Sequence, residues 1–416
     1  GCLVLTVPLI VFMDDVSGNV SKQWNKHHVV YISNASMPRE MLEKEFCVQF
    51  VSSSPHAVPM ELMKGVKDSI TEASSSGVLT WDCKYEQEVM LQPYLLFVAG
   101  DNPMHAEECS HSGLQSNFFC RTCKPGGTKK VKMATTNSGI RDTANDLIIR
   151  HLLELGKQLC KRATLDDHIN PLLEMPGVDV HQDTPSKILH TVLLGVVKYF
   201  WGQTVWLLDK AHLLTIFQAR LESLSKDGLN SPQLGAEYIC RYKGGLIGKH
   251  FKSLARVMPY LIYDLVPQDV LHAWSVIGDL VVLLWHTGID NLEEYLAQIL
   301  HTIEDFLNFS AKCAPSILIS NPKFHFLLHL PAFICRFGPV LLFSTERYES
   351  FNHVFCLSSV YSNRKAPSRD ICQSFASQDT IKHIATGGYW RDSASGNWMC
   401  AGPAIQQYIA NHPEQC

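Results

Sequence analysis

The sequence predicts an α/β protein with a mixed-sheet core interrupted by a large, mostly helical insertion. Three observations lead there. Two apolar runs, LTVPLIVFM and YLLFVAG, have the length and residue types of buried strands, and each ends in acid: Asp14 and Asp15 after the first, Asp101 after the second. The elements up to Asp101 follow the order strand, strand, strand, helix, strand. From about Asn145 to Ile319 the apolar spacing becomes mostly helical.

Taken in order, Leu3 to Met13 is an apolar, β-branched run stopped by the acidic pair. Val29 to Ser33 and Phe46 to Ser52 are two further strands by the same criterion. Met60 to Ala73 has apolar residues at mixed three- and four-residue steps and is followed by SSSG, a helix with a stop signal. Tyr94 to Val98 is the next strand, ending at Gly100 and Asp101. This order is the opening of a ribonuclease-H-like fold, in which the first and fourth strands lie side by side. Asp14 or Asp15 would then stand near Asp101.

Beyond Asp101, residues 109–132 are polar and cysteine-containing. Helices are expected at Asn145 to Cys160, Pro185 to Phe200, Lys210 to Ser225 and Leu292 to Phe309. The expected units are residues 1–105 as the first part of the core and 106–135 as a candidate zinc-binding insertion. A helical insertion domain follows at 136–320. Residues 321–380 complete the core with a Glu-bearing helix and a basic arm, and 381–416 form a tail rich in Gly, Ser and aromatics.

The chain has 416 residues, 46% hydrophobic and 18% charged, an ordinary globular composition with room for a large core. Its formal net charge of -4 supplies no global positive field, so contact with nucleic acid must come from local basic patches. The 14 cysteines are too sparse for a disulfide scaffold. The apolar start is too short to span a bilayer, and no membrane partner is expected. It opens inside a strand without an initiator Met. We therefore expect a longer gene product carrying a further DNA-binding module.

Three acidic points brought together by folding suit divalent-metal chemistry on phosphodiesters, because hard Mg2+ or Mn2+ prefers carboxylate oxygens. The third acid is sought in TERYESFN, where Glu346 and Glu349 stand one helical turn apart. Any single Asp after a strand is ordinarily a turn or helix-cap residue, so the set carries the argument.

Cys109, His111, Cys120 and Cys123 form C-x-H-x8-C-x2-C, four ligands of the type that closes a tetrahedral Zn2+ site. The C-x2-C half is a reasonable metal knuckle, whereas the C-x-H half is unusually tight. Glu107 and Glu108 alongside read as solvated-face acids. In HQDTPSKILHTVLLG, Thr184-Pro185 starts a helix with Asp183 or Thr184 as cap, and His190 lies two turns in. His181 reads as a turn residue.

Basic residues gather in three places. Lys22, Lys26, His27 and His28 follow the first acids, with Trp24 interleaved. Lys243, Lys249, His250, Lys252 and Arg256 form a second group, and Arg364, Lys365 and Arg369 a third. Lys and Arg can neutralise phosphates, and Trp24 could stack on an unpaired base.

The segments DDVSGNVSKQWNKHHVVYI, AGDNPMHAEECSHSGLQSNFFCRTC, VDVHQDTPSKILHTVLLGVVKYFW, GLIGKHFKSLA and PKFHFLLHLPAFICRFGPVLLFSTERYESFN, then SNRKAPSRD, resemble cut-and-paste DNA transposases of the fungal Plavaka type, in the broad CACTA-like group. They run from residue 14 to residue 370 in the family order. The resemblance implies an Asp-Asp-Glu triad on a ribonuclease-H-like core: one of Asp14 and Asp15, then Asp101, then Glu346, with Glu349 as its competitor.

It also implies two Mg2+ or Mn2+ ions, a structural Zn2+ beside Asp101, and supporting roles for Asp183 and His190. Double-stranded DNA, both transposon ends and target, would be the substrate. Water would attack a phosphodiester, and the freed 3'-hydroxyl would attack target DNA. Because two ends must be handled together, a homo-oligomer is expected, and the compartment is the nucleus. Cys356, where a basic residue would be expected, departs from the pattern. The competing class is a transposase-derived protein that binds DNA or acts as a scaffold without catalysis. No phosphate-binding glycine loop or Ser-His-Asp arrangement points to an unrelated enzyme.

Overall fold

The computed structural model describes residues 2–17, 26–123, 170–225, 235–362 and 365–412. Lys22, Trp24, Arg364, the helix expected at Asn145 to Cys160 and the second half of the 106–135 insertion lie outside them. The core is one five-stranded sheet made of β1 (Leu3–Ser17), β2 (Lys26–Asn34), β3 (Gln49–Ser54), β4 (Val78–Asp82) and β5 (Gln87–Gly100). Its spatial order is β3-β2-β1-β5-β4. β1 runs antiparallel to β2 and parallel to β5, and the outer pairs are antiparallel. This is the ribonuclease-H-like arrangement with the expected side-by-side strands, joined to a large helical body.

Three strands, β1, β2 and β5, are longer than the sequence suggests, and β4 was not expected. Pro93 interrupts the apolar run of β5, and proline ordinarily ends a strand. Here β4 pairs only with Gln87–Leu91, so Pro93 sits where β5 has lost that neighbour and no ladder donor is missing there. At the other end, β1 continues through Asp14 and Asp15, which pair with Val29 and His28 of β2.

Alternation along β1 sorts its side chains between two cores. Val11 and Met13 face the Pro59–Ser76 helix, with Met63, Val66 and Ile70. That helix starts on a proline and ends at Gly77, whose positive φ of 72° and close approach to Met90 exclude a side chain. Ile10 and Phe12 face the larger core shared with the helical body. Phe12 stacks on Tyr348 with ring centroids 4.6 Å apart, which ties the Glu346–Val360 helix to the sheet.

The helical body contains Gly248–Ile262, Gln268–Leu284 and Leu292–Cys313, packed around buried Trp201, Trp274 and Phe306. The helix expected from Pro185 begins at Ile188. Residues Leu189–Val197 are wound as a π-helix and continue into α-helix to Lys210. Leu189–Lys210 has the length and apolarity of a membrane span, but 61% of that window is buried inside the protein, as in a core helix. The C-terminal segment, featureless in sequence, carries a helix at Pro367–Ala385, a hairpin of β6 (Tyr389–Arg391) and β7 (Trp398–Cys400), and a last helix from Pro403 to Asn411.

Candidate active site and metal centre

The parallel register places Met13 opposite Gly100, so Asp14 and Asp101 follow as the next residue on two neighbouring strands. Alternation then separates the acidic pair. Asp14 lies on the Ile10 and Phe12 side, toward the Glu346–Val360 helix. Asp15 points to solvent and pairs with Lys26 at 2.7 Å, a surface ion pair of little energetic weight. Asp14 accepts a hydrogen bond from Asn352 Nδ2 at 3.2 Å, and Asn352 is fixed by Tyr31, whose hydroxyl donates to its Oδ1 at 2.9 Å. Asp101 caps the Asn102–Glu108 helix, its Oδ1 accepting from the Met104 N–H at 2.8 Å.

Glu349 acts electrostatically on Asp14. Its Oε1 lies 3.3 Å from Lys187 Nζ and 3.3 Å from His190 Nε2, and Thr345 Oγ1 donates to it at 3.3 Å. Burial pushes the Glu349 carboxyl up, but the His190 hydrogen bond and the Lys187 charge outweigh it and hold the group below the usual range. Burial raises Asp14 to about 6; Lys187 opposes this, while Asp101 and Glu349 reinforce it. Asp14, Asp101 and Glu349 therefore share one electrostatic field. Glu346, one turn earlier, has Lys252 as its leading charged neighbour. The two glutamates remain electrostatic neighbours, and the other charges acting on Glu346 are Lys252 and Glu43.

Lys187 is the residue that the sequence did not single out. It is 2% exposed, and its ammonium lies 5.1 Å from the centroid of the Phe12 ring. A buried lysine is costly unless paired, and here the acids pair it. The signal was present in PSKIL, where Lys187 immediately precedes the helix that carries His190. His190 Nε2 contacts Glu349 Oε1. Asp183 supports a different place. Its side chain is paired with Arg336 at 2.6 Å, and its carbonyl accepts from the Val98 N–H at 2.8 Å along the open edge of β5.

Cysteine ligation needs correction. Cys120 and Cys123 meet His325 and His329, not Cys109 and His111. Cys120 Sγ to His329 Nε2 is 3.2 Å, Cys123 Sγ to His325 Nε2 is 3.2 Å, and the two sulfurs are 3.6 Å apart. The two Nε2 atoms are 3.1 Å apart. A tetrahedral ion with bonds of about 2.3 Å to sulfur and about 2.0 Å to nitrogen spaces its ligands roughly 3.3–3.8 Å from one another. The cluster is thus a slightly contracted Cys2His2 metal-binding site. Cys123's hydrogen bond, then His325 and His329, hold the Cys120 thiol far below its ordinary range against the effect of burial.

Cys109 instead donates to the Val180 carbonyl at 3.1 Å, and His111 Nδ1 accepts from the Gly113 N–H at 3.0 Å. Neither belongs to the set that Cys120 and Cys123 form with the two histidines. The missed signal was H-x3-H in FHFLLH, which puts two histidines on one helical face.

Arg121, between the two cysteines, is buried and donates to the Thr184 carbonyl at 3.1 Å and to Asn102 Oδ1 at 3.3 Å. The metal-binding loop is thereby fastened to the residue after Asp101. Glu108 also departs from expectation. Glu107 is exposed, but Glu108 is fully buried, 3.7 Å from His105, against Gly100, where a Cβ would meet its oxygens at 3.2 Å. One helical turn from Met104, it faces inward. Burial raises its carboxyl to about 8.

The basic residues are dispersed in function. Lys26 is paired with Asp15 and Lys243 with Asp209, while Lys252 covers the Trp285 ring at 4.4 Å. Lys249, Lys365 and Arg369 are exposed. Cys356, in the place expected to be basic, donates to the Ser17 carbonyl at 3.0 Å. No protein-family model matches this chain, and no curated protein matches it.

Proposed function

We propose that this chain is a divalent-metal-dependent phosphoryl-transfer domain of the transposase type, acting on double-stranded DNA, with Asp14, Asp101 and Glu349 as its acids. What supports the reading is the placing of Asp14 and Asp101 at adjacent parallel strand ends, with Glu349 close enough to act electrostatically on Asp14. Three carboxylates make a hard oxygen donor set that suits Mg2+ or Mn2+. Such an ion would activate a water and stabilise the leaving oxygen of a phosphodiester. Asn352 orients Asp14, and Lys187 and His190 hold Glu349 ionised.

Asp15 and Glu346 are not assigned to metal in this reading. Cys120, Cys123, His325 and His329 would hold a structural Zn2+ that fixes the loop after Asp101. Exposed Lys249, Lys365 and Arg369 would meet DNA phosphates. The transposon ends and target, a homo-oligomeric assembly and a nuclear location follow from the sequence resemblance.

A second reading, a transposase-derived protein that binds DNA without cleaving it, has its own support. Glu349 is already engaged by Lys187, His190 and Thr345. Among the described residues, the acids do not form a set with every ligand atom within 4.8 Å of the others, as the Cys2His2 set does. Mn2+ binding by electron paramagnetic resonance, together with cleavage of a labelled duplex, tests the two. The catalytic reading expects Mn2+ binding and cleavage that Asp101→Asn abolishes. If wild type binds Mn2+ no better than that variant and leaves DNA intact, the second reading stands.

A further inference from the structure

A groove of about 560 Å³ lies on the helical body, between the Lys198–Lys210 helix and the turn at Lys243 and Gly244. On the helix, Tyr199, Gly202, Gln203 and Trp206 share one face, at the three- and four-residue spacing of neighbours. Tyr199 is 47% exposed and Trp206 53%. Gly202 opens a notch between them: among the described residues, nothing stands within 4 Å of where its Cβ would be. Gly244, on the other wall, is equally open.

Glycine inside a helix weakens it, so a glycine there ordinarily answers to a close neighbour. Gly195, earlier in the same helical run, has one: a Cβ would meet Lys323 Cδ at 2.7 Å and the His190 carbonyl at 2.9 Å. Gly202 has none among the described residues. Its notch points to something from outside that lies against the helix.

Charge selects what that is. Lys198 lines the groove and has no acidic partner among the described residues. Its charge acts on Lys323, whose stem crosses Gly195 and whose ammonium reaches the Leu194 carbonyl at 3.5 Å. Asp101 acts on Lys323 as well. A track of cations thus leads from the acids, through Lys323, to Lys198 and the groove. Such a track suits a chain of phosphates, in a protein whose net charge of -4 offers no general attraction to them. Two further cations are already in use, Lys243 by Asp209 at 3.2 Å and Lys210 over the Trp206 ring at 4.5 Å. Tyr199 makes no ring or cation contact among the described residues, which leaves it as the open aromatic surface. An unpaired base can stack on it, whereas a duplex keeps its base faces covered.

We propose that this groove seats an unpaired DNA strand continuing from the phosphodiester held at the acids, a proposal that rests on the phosphoryl-transfer reading of Asp14, Asp101 and Glu349. Lys323 and Lys198 meet successive phosphates, Tyr199 stacks on a base, and the Gly202 notch admits the strand.

The test is fluorescence anisotropy of the full chain with labelled oligothymidylate, alone and annealed to oligodeoxyadenylate, with Mn2+ binding measured separately. The single strand is expected to bind at least tenfold more tightly than the duplex. Gly202→Gln should weaken the single strand about tenfold while melting no lower than wild type, since Gln is the better helix former. Tyr199→Ala should also weaken it about tenfold. Lys198→Gln should reduce the salt slope of log affinity by about 0.7. Lys64→Gln, exposed on the Pro59–Ser76 helix across the sheet, should leave it unchanged. Equal affinity for single strand and duplex, or wild-type binding by Gly202→Gln, overturns the proposal. Displacement of the oligonucleotide by polyglutamate at equal charge also overturns it, because the groove would then take any polyanion. Mn2+ binding and DNA cleavage with strand affinity unmoved by the groove variants sinks only the groove. Strand binding lost in those variants, in a protein that binds no Mn2+, sinks only the catalytic reading.

Discussion

Asp14 and Asp101 stand one residue beyond the Met13–Gly100 register pair, on adjacent parallel strands, yet they differ in local duty. Asp101 also caps a helix through Met104, and Asn caps a helix about as well as Asp. Asp101→Asn should therefore remove Mn2+ binding and DNA cleavage while changing stability by less than about 0.5 kcal/mol. Asp101→Ala should cost about 1 kcal/mol more by losing the cap. Parallel denaturant melts and Mn2+ titrations check both. Wild-type strand transfer by the Asn variant would remove Asp101 from the site.

The two glutamates should separate cleanly. Glu349→Gln should reduce cleavage by about a hundredfold or more and weaken Mn2+ binding, because it removes a charge from the shared acid field. Glu346→Gln should leave Mn2+ affinity within about twofold. Identical losses in both variants would contradict the choice of Glu349 over Glu346.

Lys187→Met should destabilise the metal-free protein at neutral pH by about 3 kcal/mol, because Glu349 and Asp14 would lose their buried counter-charge. Added Mn2+ should recover part of that loss in a thermal melt, since the ion replaces the missing positive charge. A variant as stable as wild type without metal would show that Lys187 does not hold the acids together.

The Cys2His2 cluster should retain about one equivalent of zinc per chain after purification. Cys120→Ser or His329→Ala should lose it and lower the melting temperature, since metal affinity is folding free energy at a structural site. Cys109→Ala should keep the zinc, its sulfur being directed at Val180. Elemental analysis of the three variants reads this directly. Zinc lost from Cys109→Ala alone would restore the ligand set expected from the sequence.

Glu108 gives a pH dependence with a definite sign. Its carboxyl is raised from an ordinary 4.5 to about 8, so the folded state holds a proton that the unfolded chain releases. Its stabilising contribution is fully present below about 4.5 and is lost as pH rises through about 8. Relative to Glu108→Gln, wild type should lose about 1.4 kcal/mol per pH unit between roughly pH 5 and 8. Stability curves of the two proteins that run parallel over that window would place a charged carboxylate there.

What the sequence determined by itself is local and periodic. Two apolar runs ending in acid gave β1 and β5, and the element order up to Asp101 placed those strands side by side. Which of Asp14 and Asp15 turns to the larger core was legible too, since Asp14 shares the parity of Ile10 and Phe12. C-x2-C identified half of a metal site. The tertiary structure decided whatever depends on distant segments meeting. It gave Cys120 and Cys123 their partners His325 and His329, brought Glu349 within electrostatic reach of Asp14, and buried Lys187 against Glu349. The reason is physical. Period and register fix which face a side chain occupies within one element. Which faces meet is set by how the whole chain excludes water, and the segment folded between Asp101 and Glu349 supplies the lysine that pairs with Glu349.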